Sequence, residues 1–382
     1  MRQRVPRVLI SGGGTGGHVY PALAVATALR DRLRAEVLYV GTRRGLEARL
    51  VPAAGIPFRT VSARGLVGKS PAQAMAAVLA AARGALESWR LVRQFRPDLM
   101  VATGGYVCGP TALVARLMGV PLVLQEQNVL PGFTVRLLSR WAELVCVPSA
   151  ETEKYLPGTS RVAVTGNPIR PEITATAGEE ARRRLGLEAG MPWVLVFSGS
   201  RGARTVVEAT VQAVPHWMAK LRAGLFLVTG TRYYRWAQQR LRQLGIPPEG
   251  RGHIMVRPYL EEMHLALAAA DLVVARAGAM TVAEITARGL PAILVPSPHV
   301  AANHQEYNAR WMERHGAAVV IPDHEFTGEA LLATAQELLS DRQRLADMAR
   351  ASRGLGRPEA LDRMVQLIAG LLGVSEGRDK RG

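Results

Sequence analysis

Short apolar runs rich in valine, leucine and isoleucine recur along the chain, with helix-length stretches of mixed polarity between them. In the first half the runs occupy residues 7–10, 36–40, 58–61, 99–102, 122–124, 144–147 and 162–164. They are continuous rather than alternating, as strands covered on both faces are. Residues 22–33 and 72–95 read as helices between them. Strand and helix in turn predict βαβ units and a parallel sheet. The pattern pauses at 166–174 (GNPIRPEIT), where Pro168 and Pro171 interrupt it. It restarts at 193–197, 225–228, 254–256, 272–275, 293–295 and 319–321, and helical text from 328 to 372 closes the chain. The fold class expected is α/β, with two doubly wound parallel-sheet (Rossmann-like) domains. The expected boundaries are a first domain over 1–165, a linker over 166–175 and a second domain over 176–350. A C-terminal helical segment over 351–382 returns to the first domain and ends in a frayed polar tail.

Composition narrows the class. A length of 382 residues, 48% of them hydrophobic, suits two domains with their own cores and not a disordered chain. Cys108 and Cys146 lie in apolar runs and read as two buried thiols rather than a disulfide. No uncharged apolar stretch reaches the length of a membrane span, and the basic N-terminus runs at once into glycines instead of a signal sequence. A cytoplasmic protein is expected. The net charge is +17, and only Lys69, Lys154, Lys220 and Lys380 of the 48 basic residues are lysine. Such a surface attracts polyanions. Without a zinc-ligand cluster or an aromatic RNA-binding segment, it does not indicate a nucleic-acid partner.

The candidate chemistry sits in glycine loops. The first strand runs into Gly12-Gly13-Gly14-Thr15-Gly16-Gly17-His18, where Gly12, Gly14 and Gly17 have the spacing of a dinucleotide fold. Such a loop lets backbone N–H groups face an anion at a helix N-terminus. A dehydrogenase would place an acidic residue at the end of the second strand. Here that strand ends Gly41-Thr42-Arg43-Arg44, which speaks against NAD and leaves NADP open. A second loop, Thr103-Gly104-Gly105-Tyr106, follows the strand at 99–102, and a third, Ser198-Gly199-Ser200-Arg201-Gly202, follows that at 193–197. Three such loops at carboxyl ends of parallel strands suggest a polar phosphate-bearing substrate in a cleft between domains. In the segment 275–309, Gly278 and Ala279 open a helix that carries Thr281 and Glu284, and His304, Gln305 and Asn308 start the next one. The first helix end suits a diphosphate and Glu284 a sugar diol.

These motifs, GGGTGGHVYPALAVA, ATGGYVCGP, QEQN, GNPIR and AGAMTVAE…GLPAILVP…NHQEYNA, resemble in order and spacing those of the MurG family. Its members are peripheral membrane glycosyltransferases of peptidoglycan synthesis with the two-domain GT-B fold. The resemblance implies transfer of N-acetylglucosamine from UDP-GlcNAc to the C4 hydroxyl of undecaprenyl-pyrophosphoryl-MurNAc-pentapeptide (lipid I), with inversion, no cofactor and no bound metal. It implies a donor site of Thr15, Gly16, Gly17, Asn128, Arg170, Ser200, Leu260, Ala279, Met280, Thr281, Val282, Ala283, Glu284 and Gln305. Glu284 would hold the ribose and the Leu260 backbone the uracil. Ser200, Arg170 and Thr281 would lie near the phosphates, and Asn128 and Gln305 near the sugar. Gly104, Gly105 and Tyr106 would lie on the acceptor side.

The attacking hydroxyl needs a base, and histidine's ordinary pKa of about 6.5 suits one. His18 is the first candidate and Glu126 the second. Three departures stand out: Gln125 where many relatives carry histidine, Ser198 and Arg201 around the third loop, and His304 in place of a glutamine. His216, His253, His264, His299, His315 and His324 lack metal-ligand spacing.

Between Arg59 and Arg96 seven basic residues accompany one acid, Glu87, interleaved with Leu66, Val67, Met75, Val78, Leu79, Leu86 and Trp89. Part of this stripe must pack on the sheet. A basic rim around exposed apolar side chains also suits docking on anionic lipid, at the cytoplasmic face of the membrane. Competing readings are another GT-B enzyme, such as a lipid glucosyltransferase or a UDP-GlcNAc 2-epimerase, and a nucleotide-sugar-binding module without catalysis. An epimerase leaves the basic apolar stripe and QEQN unexplained.

Overall fold

The computed structural model describes residues 4–65, 71–158, 161–199, 202–247, 249 and 253–375. The chain forms two compact units, Met1–Ile169 with Pro358–Gly382, and Arg170–Arg357. Unit 1 opens with β1 (Arg7–Ser11), α1 (Gly16–Leu33), β2 (Glu36–Gly41), α2 (Glu47–Ala53) and β3 (Phe58–Thr60). It continues with α3 (Pro71–Phe95), β4 (Leu99–Ala102), α4 (Gly105–Leu117) and β5 (Leu122–Gln125). Then come α5 (Phe133–Ser139), β6 (Leu144–Val147) and β7 (Val162–Val164).

Unit 2 begins with α6 (Glu172–Ala175), α7 (Gly178–Leu185), β8 (Trp193–Phe197) and α8 (Arg204–Lys220). Next are β9 (Gly224–Val228), α9 (Tyr234–Gln243), β10 (Ile254–Arg257) and α10 (Met263–Ala269). After β11 (Leu272–Ala275), α11 (Ala279–Arg288) and β12 (Ala292–Leu294) come α12 (His304–Arg314) and β13 (Ala318–Val320). Helices α13 (Gly328–Ser340) and α14 (Arg342–Leu355) complete it. The last helix, α15 (Ala360–Leu372), belongs to unit 1.

Each unit is one parallel sheet, in the order β3-β2-β1-β4-β5-β6-β7 and β10-β9-β8-β11-β12-β13. Crossover helices cover both faces of the first sheet, which is why its strands read as unbroken apolar runs: Val8, Leu9 and Ile10 are all fully buried. On one face Val8, Ile10, Val25 and Leu29 share a core with Met364, Val365 and Ile368 of α15. On the other, Leu9, Met100 and Leu124 pack with Cys108, Ala112 and Leu138. The chain's end therefore finishes the core of its beginning.

Several details differ from the sequence reading. Helix α1 starts at Gly16 and α4 at Gly105, inside the glycine segments, because glycine carries no periodicity to mark a helix start. Cys108 thus lies on a helix, not a strand. Both thiols are free, and burial pushes each up to about 12. Strands β12 and β13 begin one residue earlier than expected. The C-terminal helical text is three helices, with Thr327 capping α13, Asp341 capping α14 and left-handed Gly373 ending α15. Among the described residues no helix is long and apolar enough to cross a membrane.

Because Ile368 is wholly buried between α15 and the first sheet, Ile368→Ala should cost about 2–5 kcal/mol of stability. Denaturant unfolding monitored by circular dichroism checks this. A loss below about 0.5 kcal/mol, the size expected of surface changes, would mean that α15 contributes little to unit 1.

Candidate functional site

The order of strands locates the sites before any side chain is considered. In unit 1 the order reverses between β1 and β4, whose ends Ser11 and Ala102 lie side by side in parallel register. The chain leaves these two strands in diverging directions and opens a crevice at their carboxyl ends. The first and second glycine loops line that crevice. In unit 2 the same reversal falls between β8 and β11, with Phe197 beside Ala275.

In unit 1 the two loops are pressed together. A Cβ on Gly12 would stand 1.9 Å from Thr103 Oγ1, and one on Gly105 2.4 Å from the Gly13 carbonyl oxygen. Gly104 and Gly105 also have φ of +89° and +77°, where side chains are strained. This close approach sets His18, in the first turn of α1, against the second loop. A Cβ on Gly104 would lie 3.2 Å from the imidazole. His18 Nδ1 is 2.9 Å from the Thr103 carbonyl oxygen and 2.7 Å from Gln127 Oε1. Both are acceptors, so the neutral ring carries its proton on Nδ1 and keeps its lone pair on Nε2.

Gln127 belongs to a buried amide network. Its two Nε2 N–H groups are shared among three acceptors, the Thr103 carbonyl at 2.8 Å, the Gln125 carbonyl at 3.1 Å and, at short range, Gln125 Oε1. Gln125 Nε2 donates to Asn167 Oδ1 at 2.9 Å, and Asn167 Nδ2 returns to the Gln127 carbonyl at 2.9 Å. All three side chains are buried. Losing one partner of such a bond costs about 1–3 kcal/mol of desolvation.

Glu126, the second candidate base, is held by its own loop. Its Oε1 accepts from the Gln127 N–H at 2.9 Å, the Asn128 N–H at 2.8 Å and Asn128 Nδ2 at 3.1 Å. Its Oε2 accepts from the Gly132 N–H at 2.9 Å. The carboxylate is 2% exposed and turned into its own loop, so it organises residues 126–132 rather than facing outward.

Thr15 is the N-cap residue of α1, extended, with no side-chain cap; its carbonyl accepts from the His18 and Val19 N–H groups at 3.1 Å. The first turn, with Gly16 and Gly17, contains no acid, so the helix presents its positive end unneutralised. The exposed Tyr106 ring packs on Gly14. Behind the loop, the Tyr39 hydroxyl donates to the Gly12 carbonyl at 2.7 Å; burial, and then the charge of Glu47, hold it far above the usual phenol range, as a donor.

In unit 2 the centre is the N-terminus of α11. Gly278 caps it without a side chain, and no acid occupies its first turn of Ala279, Met280 and Thr281. Val282 is buried, Ala283 partly so, and Glu284 follows with a side chain 16% exposed. Desolvation pushes the Glu284 carboxyl up to about 7, opposed by the Arg170 guanidinium, whose Nη2 stands 3.8 Å away. Among the described residues it has no donor within hydrogen-bond length, in contrast to Glu126. Gln305, in the first turn of α12, accepts from the Ser297 N–H at 2.9 Å. Leu260 sits in the loop after β10, with β9 and β8 between that strand and β11. Ser200 and Arg201 lie outside the described residues. Ser198 accepts from the Ala203 N–H at 2.8 Å and closes the third loop. His304 donates through Nδ1 to the Ala301 carbonyl at 2.9 Å.

Sequence reasoning missed Arg276, although it lies inside the segment singled out. Its guanidinium reaches Asp323 at 2.5 Å and the Val295 carbonyl at 3.0 Å, and Asp323 accepts from Thr205 at 3.2 Å. This ties together the chain after β11, after β13 and at the start of α8. Thr103, Gln127 and Asn167 were missed as well. A buried amide or a long-range ion pair has no local spacing; only the QEQN and GNPIR strings could have pointed to two of them.

The chain matches the glycosyltransferase family 28 N-terminal domain over residues 8–147 and its C-terminal domain over 193–364. It is 48% identical over 369 residues to a protein of Desulforudis audaxviator, covering 96% of this chain and 99% of the relative. A protein of Moorella thermoacetica is 46% identical, with 95% and 98% covered. Both are named UDP-N-acetylglucosamine–N-acetylmuramyl-(pentapeptide) pyrophosphoryl-undecaprenol N-acetylglucosamine transferase. Among solved structures, that of Acinetobacter baumannii MurG superposes with a TM-score of 0.79 at 30% identity, covering 96% of this chain and 99% of that one.

Proposed function

The chain belongs to glycosyltransferase family 28, and from that premise we propose that it moves N-acetylglucosamine from UDP-GlcNAc to the C4 hydroxyl of the MurNAc of lipid I, forming lipid II. It is an N-acetylglucosaminyltransferase of peptidoglycan synthesis. The observation that carries this reading is the near-full-length identity to enzymes named for that transfer. It is joined to a site of matching chemistry, an open helix end followed by a carboxylate short of donors. The competing epimerase reading has less support: such a protein of Listeria monocytogenes shares the fold, with a TM-score of 0.69, but only 16% identity.

In this reading unit 2 holds the nucleotide. The N–H groups at the start of α11 face the diphosphate, with Thr281 and Arg170 beside them, and Glu284 accepts from the two ribose hydroxyls. The Leu260 backbone meets the uracil, and Gln305 the sugar. Unit 1 supplies Gly104, Gly105 and Tyr106 to the acceptor, and Thr15, Gly16, Gly17 and Asn128 contribute to donor binding. The acceptor oxygen attacks C1 of N-acetylglucosamine as the C1–O bond to the diphosphate breaks. UDP leaves with the bonding pair, and the anomeric centre inverts. The hydroxyl proton passes to His18 Nε2, and the positive end of α11 with Arg170 offsets the charge that grows on the leaving group. Glu126 has no share in the chemistry and shapes the loop that holds Gln127 and Asn128.

The enzyme meets its lipid-linked acceptor through α3. One side of that helix is core, with Ala77, Ser88 and Val92 buried; another exposes Met75, Val78, Leu79, Leu86 and Trp89. Arg93 stacks on Trp89 at 5.3 Å, and Arg83 and Arg90 stand nearby in sequence. This apolar patch with a basic rim suits the anionic surface at the cytoplasmic face of the membrane. Leu66, Val67 and Lys69 lie outside the described residues.

Three outcomes follow. His18→Ala should cut transfer to lipid I about 10²–10⁴-fold, while UDP-GlcNAc affinity by calorimetry changes less than about fivefold. A proportional loss of affinity would make His18 a binding residue. UDP-GlcNAc affinity should be flat above the Glu284 value of about 7 and fall as pH drops below it. The neutral acid no longer accepts two hydrogen bonds, and the limiting slope is about tenfold per pH unit. Glu284→Gln should flatten that profile and lower affinity at pH 8 by about 10- to 150-fold; a variant with the parent's profile would remove Glu284 from the ribose. Replacing Leu79 and Leu86 by Ser should weaken binding to vesicles containing anionic lipid and spare UDP-GlcNAc binding. Equal vesicle binding would assign the patch to another partner.

A further inference from the structure

We infer that Gln127 is a positioning residue for the transfer: it holds the proton of His18 on Nδ1 and so keeps Nε2 bare for the acceptor hydroxyl. The inference rests on the reading of His18 as the base and extends it to the residue that makes it one. An imidazole free in solution exchanges its proton between two nitrogens, and only one tautomer presents a lone pair at Nε2. In this chain Nδ1 faces two acceptors and no donor, Gln127 Oε1 at 2.7 Å and the Thr103 carbonyl at 2.9 Å. The Gln127 contact is the shorter.

The amide is the only side-chain group of this length that satisfies both ends of the position. Its oxygen must accept from His18, while its other end faces the Thr103 and Gln125 carbonyls and Gln125 Oε1, all acceptors. A flipped amide would set its oxygen against three oxygens and its NH₂ against a protonated Nδ1. The surroundings thus fix the amide's orientation, and the amide in turn fixes the tautomer. A glutamate would meet the same three acceptors without a proton to give. A methionine would fill the space and offer neither bond.

The chain of support runs further back. Gln125 accepts from Gln127 and donates to Asn167, and Asn167 donates to the Gln127 carbonyl, so the amide is held from both of its neighbours. Gln125 acts two bonds behind the base: its side-chain oxygen receives one proton of Gln127 Nε2 and helps to aim the other end at His18. The ring has little room to turn away, since Gly104 and Gly105 lie against it where a Cβ would come within 3.2 Å.

The test reads the proton directly. Protein labelled with ¹⁵N in histidine gives two-bond correlations that tell a protonated ring nitrogen from a bare one, and His18→Ala identifies the His18 signals. The parent, above the pH at which the ring titrates, should show Nδ1 protonated and Nε2 bare; the opposite tautomer would overturn the proposal without any variant. Gln127→Met should bring the Nε2–H tautomer into the spectrum. It should lower kcat about 10- to 100-fold, part of the usual effect of a general base, and leave UDP-GlcNAc affinity within about twofold. Unchanged tautomer in a folded Gln127→Met protein overturns the proposal, as does a changed tautomer with the parent's kcat. If His18→Ala retains transfer, the base reading itself fails, while the tautomer comparison still reports whether Gln127 places the proton.

Discussion

In a parallel sheet every strand ends at the same edge, so every loop that leaves a carboxyl end shares that edge with its neighbours. The loops stay crowded by crossover helices except where the strand order reverses. Both units obey this constraint, at β1 beside β4 and at β8 beside β11. The remaining features follow from it. Each unit has one crevice, each crevice is bordered by a helix N-terminus, and unpaired backbone N–H groups face it. At a helix N-terminus, backbone N–H groups can meet an anion without any particular side chain, provided no acid stands there. The first turns of α1 and α11 contain no acid, although 31 acidic residues are spread over the chain.

The crevice in unit 1 is narrow because two glycine segments touch there, and the placement of His18 depends on that contact. His18 reaches the Thr103 carbonyl only because no Cβ stands on Gly104 or Gly105. Adding one would push apart the two loops whose separation sets the ring's hydrogen bond. The glycines therefore act on the ring through distance, and the left-handed φ values of Gly104 and Gly105 are the second reason that no other residue fits.

Sequence made the fold legible where burial is symmetrical. Runs such as 99–102, 144–147 and 193–197 coincide with β4, β6 and β8 because strands covered on both faces leave no polar position to blur their ends. Helix starts at Gly16 and Gly105 were illegible for the opposite reason, since glycine has neither periodicity nor polarity. The site was legible as loops and as Glu284, whose place after a glycine-started helix has a fixed spacing. It was not legible as a network. Nothing near Gln127 in sequence tells that its amide faces a histidine 109 residues away, or that Arg276 meets Asp323. Those contacts are products of strand order, which single-sequence patterns do not encode.

Two glutamates show how the same side chain is assigned different work by its surroundings. Glu126 accepts four hydrogen bonds from N–H groups within six residues of itself, so its charge is spent on holding a loop and no ligand is needed to complete it. Glu284 is more open, with a side chain 16% exposed, and among the described residues the opposite charge beside it is Arg170 at 3.8 Å, beyond hydrogen-bond length. Desolvation without donors is an unfavourable state for a carboxylate, and it raises the proton affinity of Glu284 to about 7. A ligand that brings two hydroxyl donors relieves that state, whereas a ligand lacking them leaves the carboxylate buried and unpaired. The ribose contact proposed for Glu284 would draw its preference for a diol from that cost. The two carboxylates are thus separated by their surroundings: one is satisfied by its own loop, and the other keeps its hydrogen-bonding capacity open among the described residues.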